Sequence, residues 1–167
     1  SVSFSPDGMY VAAGIDDDTM HIYYSSNLTS VHGAISVDVG SGDYVNDVEF
    51  SPDSGLVAVS IGRSGNSGTN GQVFLIDVSN GQKVGNGMNP NSEGRFYDAA
   101  FSPDGELIAL ASNDDFYIVN VSSRATVYSI TSPPASVNAI AWSPDGNYIA
   151  MCGGWEGSGA SFDMYQF

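Results

Sequence analysis

Positive charge is almost missing from this chain: one lysine, Lys83, and three arginines stand against 19 acidic residues, for a formal net charge of -15. Such a surface repels phosphate backbones and anionic headgroups, which argues against nucleic-acid partners and against membrane insertion. Cysteine is reduced to Cys152 alone, so no disulfide can form within the chain, and its apolar setting predicts a small buried hydrophobe. No run of about 18 apolar residues occurs, which excludes a transmembrane helix, and no stretch carries a helical period. Histidine is limited to His21 and His32, both read as structural or solvated rather than catalytic. There is no G-x-S-x-G elbow, no phosphate loop ending in Gly-Lys and no Cys/His cluster with zinc spacing. These absences predict a protein that is not an enzyme, uses no cofactor and has no small-molecule ligand. Asp16-Asp17-Asp18 and Asn113-Asp114-Asp115 offer the oxygen donors that calcium takes, but both fall at the same kind of turn, where they read as hairpin caps.

What is present is a repeat. Phe4-Ser5-Pro6-Asp7-Gly8, Phe50-Ser51-Pro52-Asp53-Ser54-Gly55, Phe101-Ser102-Pro103-Asp104-Gly105 and Trp142-Ser143-Pro144-Asp145-Gly146 each end an alternating apolar run with an aromatic and follow it with a turn. Ser, Pro, Asp and Gly at successive corners are a type I turn signature. The period of 41 to 51 residues falls in the range of propeller blades. Short strands are predicted around each turn: 2–4, 10–14, 19–24 and 34–39; 45–50, 56–61, 73–78 and a weak fourth near 82–85; 96–101, 107–111, 116–121 and 125–130; then 137–142, 148–152 and 161–167. The last unit has three strands where the others have four.

These residues resemble WD-repeat and WD-repeat-like (TolB-type) β-propellers over essentially the whole chain. The shared pattern is V-x-x-x-x-F-S-P-D-G-x-x-I-A, followed by an Asp turn and a third strand. Where that family closes the third strand with Trp-Asp, this sequence has Tyr23-Tyr24, Ile76-Asp77, Val119-Asn120 and Tyr165-Gln166. The resemblance implies an all-β propeller domain of four four-stranded antiparallel blades, at about 1–40, 44–86, 95–131 and 136–167, the last lacking its outer strand.

Two surfaces are singled out for partners. The unfinished last unit leaves Ser161, Phe162, Asp163, Met164, Tyr165, Gln166 and Phe167 as an edge with no Lys or Pro guard, open to strand addition by another chain. Apolar blade faces left wet at the two ends of a four-blade chain point to copies of itself, as a ring or a filament. The longer loops, 62–71, 86–95, 131–136 and 153–160, gather on the face opposite the tight turns, with Arg63, Asn66, Asn89, Arg95, Trp155 and Glu156 as contacts for a separate protein. A third reading makes the chain the propeller part of a larger hydrolase. The chain starts at Ser1 already inside a strand, as expected of a mature product, a fragment or the visible part of something larger. Low lysine with abundant Ser, Asn and Gly suggests an extracellular or cell-surface setting, with Asn27-Leu28-Thr29 and Asn120-Val121-Ser122 as glycosylation acceptors.

Overall fold

The computed structural model describes residues 1–15, 18–37, 43–63, 71–90, 92, 95–112, 115–131, 137–154 and 161–166. These residues form four antiparallel sheets in chain order. The first joins β1 (Val2–Phe4), β2 (Tyr10–Gly14), β3 (Thr19–Tyr24) and β4 (Ile35–Ser36). The second joins β5 (Asp43–Phe50), β6 (Leu56–Arg63) and β7 (Val73–Asp77). The third has β8 (Phe96–Phe101), β9 (Leu107–Ser112), β10 (Asp115–Asn120) and β11 (Thr126–Thr131). The fourth has β12 (Val137–Trp142), β13 (Tyr148–Gly153) and β14 (Ser161–Gln166). Each sheet is a blade, and among the described residues the fourth has no outer strand, as the repeat predicts.

Two predicted outer strands shrink. In the first blade the described part of the predicted 34–39 is strand at Ile35–Ser36, and 38–39 lie outside the described residues. In the second, the strand near 82–85 is reduced to a bridge between Lys83 and Ile76, with Val84 N–H donating to the Leu75 carbonyl. Gly81 and Gly85, both at positive φ, bracket this short contact, and the chain meets β7 again at a bridge between Met88 and Val73.

The four turns are built alike. Gly8, Gly105 and Gly146 sit at φ 72, 74 and 74° and close the turn by donating to the Ser carbonyl three residues back. The buried Ser hydroxyl adds a second tie, donating to the turn Asp (Ser5 Oγ to Asp7 Oδ1, 2.6 Å) and accepting the N–H that starts the next strand (Tyr10 to Ser5 Oγ, 2.8 Å). This Ser-Asp-backbone clasp recurs at Ser51, Ser102 and Ser143.

The core is three seams between successive blades. In each seam the inner strand of one blade offers a small or branched residue and an aromatic: Val48 and Phe50, Ala99 and Phe101, Ile140 and Trp142. The preceding blade answers from its middle strands with Met20 and Ile22, Val73 and Leu75, or Phe116 and Ile118. Strand register makes these sets equivalent, because Ile22, Leu75 and Ile118 oppose Ala12, Ala58 and Ala109. Alternation along each strand therefore sends one residue set into the seam behind and the other into the seam ahead.

Candidate functional site

The same register carries into the two end blades, and there the surroundings reverse. Val2 and Phe4 oppose Ala13 and Val11 as Val48 and Phe50 oppose Val59 and Val57, yet they are 75% and 70% exposed against 2% and 4%. At the other end Phe162 and Met164 oppose Cys152 and Ala150, the places of Phe116 and Ile118, and are 71% and 63% exposed against 1% each. One end presents the receiving half of a blade seam and the other presents the inserting half. Cys152, expected to be buried, is exposed for this reason: its strand is interior to the sheet, but its face has no blade in front of it.

In the stretch read as a strand edge, β14 pairs with β13 from Ser161↔Gly153 to Gln166↔Tyr148, and its other side pairs with no strand among the described residues. Within it Asp163 and Tyr165 point back toward the third blade's seam, where Tyr165 packs on the core, while Phe162, Met164 and the exposed Gln166 face outward. Phe167 lies outside the described residues.

Of the predicted loop-face contacts, Arg63, Asn89 and Arg95 fall among the described residues. Asn66, Trp155 and Glu156 lie outside the described residues, and Arg63 ends β6 opposite Asp43. Asn89 is used internally, its Nδ2 donating to the Gly71 carbonyl at 2.6 Å. Arg95 lies 5.6 Å from the ring centres of both Tyr44 and Tyr97 and pins the start of β8 to β5. Asn27 is exposed, and its Oδ1 accepts from the N–H and Oγ1 of Thr29 at 3.0 and 2.8 Å. Asn120 is half-buried at the end of β10, its Oδ1 engaged by Ser122 and Ser123. The histidines have structural contacts: His21 stacks on Tyr23 at 5.7 Å, and His32 Nε2 meets the Val78 carbonyl at 2.7 Å. Of the two acidic turns, Asp115 accepts from the Tyr117 hydroxyl and donates its N–H to Ser112.

A third feature was not anticipated. The inner strands converge on a cavity of about 360 Å³ lined by Ser3, Asp47, Glu49 and Asp98 among apolar neighbours. Ser1, Asp47 and Asp98 hold equivalent places in the first three blades, opposite Gly14, Ser60 and Ala111. Each reaches the next blade: Ser1 Oγ donates to Asp47 Oδ1 at 2.8 Å, Asp47 and Asp98 share a carboxyl-carboxyl hydrogen bond, and Asp98 Oδ2 accepts the Ile140 N–H at 2.7 Å. Glu49 accepts the Phe101 N–H in the same manner. An inner strand has no neighbour on its axial side, so these carboxylates satisfy backbone donors that would otherwise lack a partner. Burial pushes Glu49 up to about 8, with the charges of Asp98 and Asp47 adding to it. Burial likewise raises Asp98, to about 7, against the pull of the Ile140 N–H and with the help of Asp47. The alternation Asp47-Val48-Glu49 was the available sign, since charge at every second place of an inner strand marks one face.

Blades in sequence, seams of this build and the Ser-Pro-Asp turn define a β-propeller arrangement, and the chain resembles WD-repeat propellers. The family model described as "Anaphase-promoting complex subunit 4 WD40 domain" matches residues 99–166, and that for "WD domain, G-beta repeat" matches residues 1–23. An uncharacterized WD repeat-containing protein of Synechocystis is 26% identical over 78% of this chain and 36% of its own length. Protein HIR1 of Kluyveromyces lactis is 28% identical over 90% of this chain and 19% of its own. Among solved structures, a chain of the mitotic checkpoint complex superposes with a TM-score of 0.79 at 17% identity, covering 99% of this chain and 46% of that one. The chain thus spans less than half the length of these relatives.

Proposed function

We propose that this chain is a non-enzymatic module for protein–protein assembly whose partner is a second copy of itself, docked head to tail so that Phe162 and Met164 of one copy meet Val2 and Phe4 of the next. The observation that carries the reading is the exposure contrast at equivalent places: three seams of this design are dry, and the fourth pair of half-seams is wet. Large apolar side chains at adjoining places on one face are what a partner covers. Head-to-tail contact closes into a ring if the rotation permits and otherwise extends as a filament. Strand addition at the free edge of β14 is the finer mechanism, by which the neighbour also completes the last blade.

Light scattering tests the reading by complementation. Wild-type chain self-associates; Phe4→Asp and Met164→Asp, both at exposed positions that tolerate the change, are monomers alone. Mixed together they form a dimer that does not grow, because one good half-seam survives on each. A wild-type monomer, or variants that associate unaided, overturns the proposal.

An extracellular setting is proposed on composition and on the exposed Asn27 acceptor. Expression through a eukaryotic secretory route should give a glycan-sized mass increment that Asn27→Gln removes, and an unmodified secreted chain counts against it.

A further inference from the structure

We propose that the axial carboxyls form a proton-held seam: Asp47 and Asp98 stay joined across the boundary between the second and third blades while they keep a shared proton, and the boundary loosens when both are ionised. The geometry supports this independently of the end faces. The line from Ser1 through Asp47 and Asp98 to the Ile140 N–H crosses all three blade boundaries, and its middle link is the one made of two acids. A carboxyl pair can hydrogen-bond only while one member carries a proton.

The groups facing the pair favour keeping it. From the β1 side come the hydroxyls of Ser1 and Ser3, with the α-amino group of Ser1 as the charge that pulls the other way; from β5 comes Glu49, a third acid. From β6 comes Ser60, fully buried opposite Asp47, and its Oγ has no hydrogen-bond partner. From β12 come the Ile140 N–H and Trp142, whose Nε1 donates to the Ala100 carbonyl at 3.0 Å. No lysine, arginine or histidine among the described residues lines this cavity. Three acids with no cationic side chain among them repel one another in a poorly solvated place, and a shared proton relieves that repulsion.

The sign follows from linkage. Glu49 and Asp98 hold protons more tightly in the folded chain than in the unfolded one. Their contribution is complete below the ordinary carboxylate range and is lost as pH rises through about 7 to 8.

The test is thermal unfolding of the wild-type chain and Asp98→Asn at about pH 5.5 and about pH 9, a window above the ordinary carboxylate range. The wild-type midpoint should fall by at least about 5 °C across it. The amide of Asp98→Asn still accepts from Ile140 and donates to Asp47 without ionising, so its fall should be distinctly smaller, the remainder coming from Glu49. An equal fall in both proteins overturns the proposal. Should Asp98→Asn not fold, carbon-13 NMR of the wild-type carboxyls decides: one member of the Asp47–Asp98 pair titrating above about pH 6 supports the seam, and both titrating in the ordinary range refutes it.

Discussion

Phe4 and Phe50 occupy one place in the repeat and live in opposite surroundings. Both end an inner strand, both precede Ser-Pro-Asp, and both oppose a valine of the next strand, Val11 and Val57. Phe50 is covered by the first blade, while Phe4 has no blade behind it. The difference teaches that a propeller blade is not a self-sufficient unit. Its own hydrogen bonds fix the pleat, but a strand's apolar side becomes core only when a neighbour supplies the other half. Equal sequence therefore does not mean equal energy, and the end blades hold apolar surface that adds nothing to stability until it is covered.

Four substitutions set that contrast against measurement, the largest expected effect first and paired with its control at Phe4. Phe50→Ala should destabilise by about 3–5 kcal/mol in denaturant unfolding, the range for emptying a buried aromatic site. Phe4→Ala at the matching place should change the isolated chain by less than about 0.5 kcal/mol. Near-equal losses would mean that Phe4 is already covered in solution. Gly14→Ala tests how tightly a covered seam closes: a Cβ there would overlap Val45, so about 1–3 kcal/mol should be lost to overpacking. Trp142→Phe gives this seam the aromatic used at Phe50 and Phe101 and removes the bond to Ala100, costing about 1 kcal/mol by the same measurement.

The smallest expected effect separates the turns from the axis. Asp7, Asp53, Asp104 and Asp145 are held below the usual carboxylate range, chiefly by the hydroxyl of the turn serine, and Asp145 falls to about 2. Their contribution is present above the ordinary carboxylate range and is lost as pH falls below it, opposite in sign to that of Glu49 and Asp98. Ser102→Ala should therefore shrink the loss of stability on going from about pH 5 to about pH 2, while leaving the alkaline decline unchanged. A change in the alkaline limb would show that turn and axis are coupled.

The blades were legible in the sequence because turn chemistry is local: Ser5, Pro6, Asp7 and Gly8 need only one another to make their corner. The third strand of the last unit was legible too, since Phe162 and Met164 alternate with Asp163 and Tyr165. The outer strands near Ala34 and Gln82 were overestimated because an edge pairs on one side only, and Gly81 and Gly85 outweigh the alternating pattern. Cys152 was misplaced because alternation reveals which face a residue takes and not whether anything covers that face. The axial acids escaped notice for a similar reason. Asp47 and Asp98 are 51 places apart, and only the circular arrangement of inner strands makes them neighbours.

Ser54 bears on how successive blades keep their phase. It stands at φ 63° in the left-handed corner that glycine fills in the other three turns, and the Gly55 that would have filled it comes one residue late. A side chain is strained in that conformation, yet its hydroxyl accepts the Asp7 N–H of the first blade's turn at 3.2 Å. The corresponding glycines, Gly105 and Gly146, meet only proline carbon from the turn before, Pro52 and Pro103. On the turn face the first two blades are thus tied by a directional bond, whereas the boundary before the last blade is tied nearer the axis, by Ile140 to Asp98 and Trp142 to Ala100.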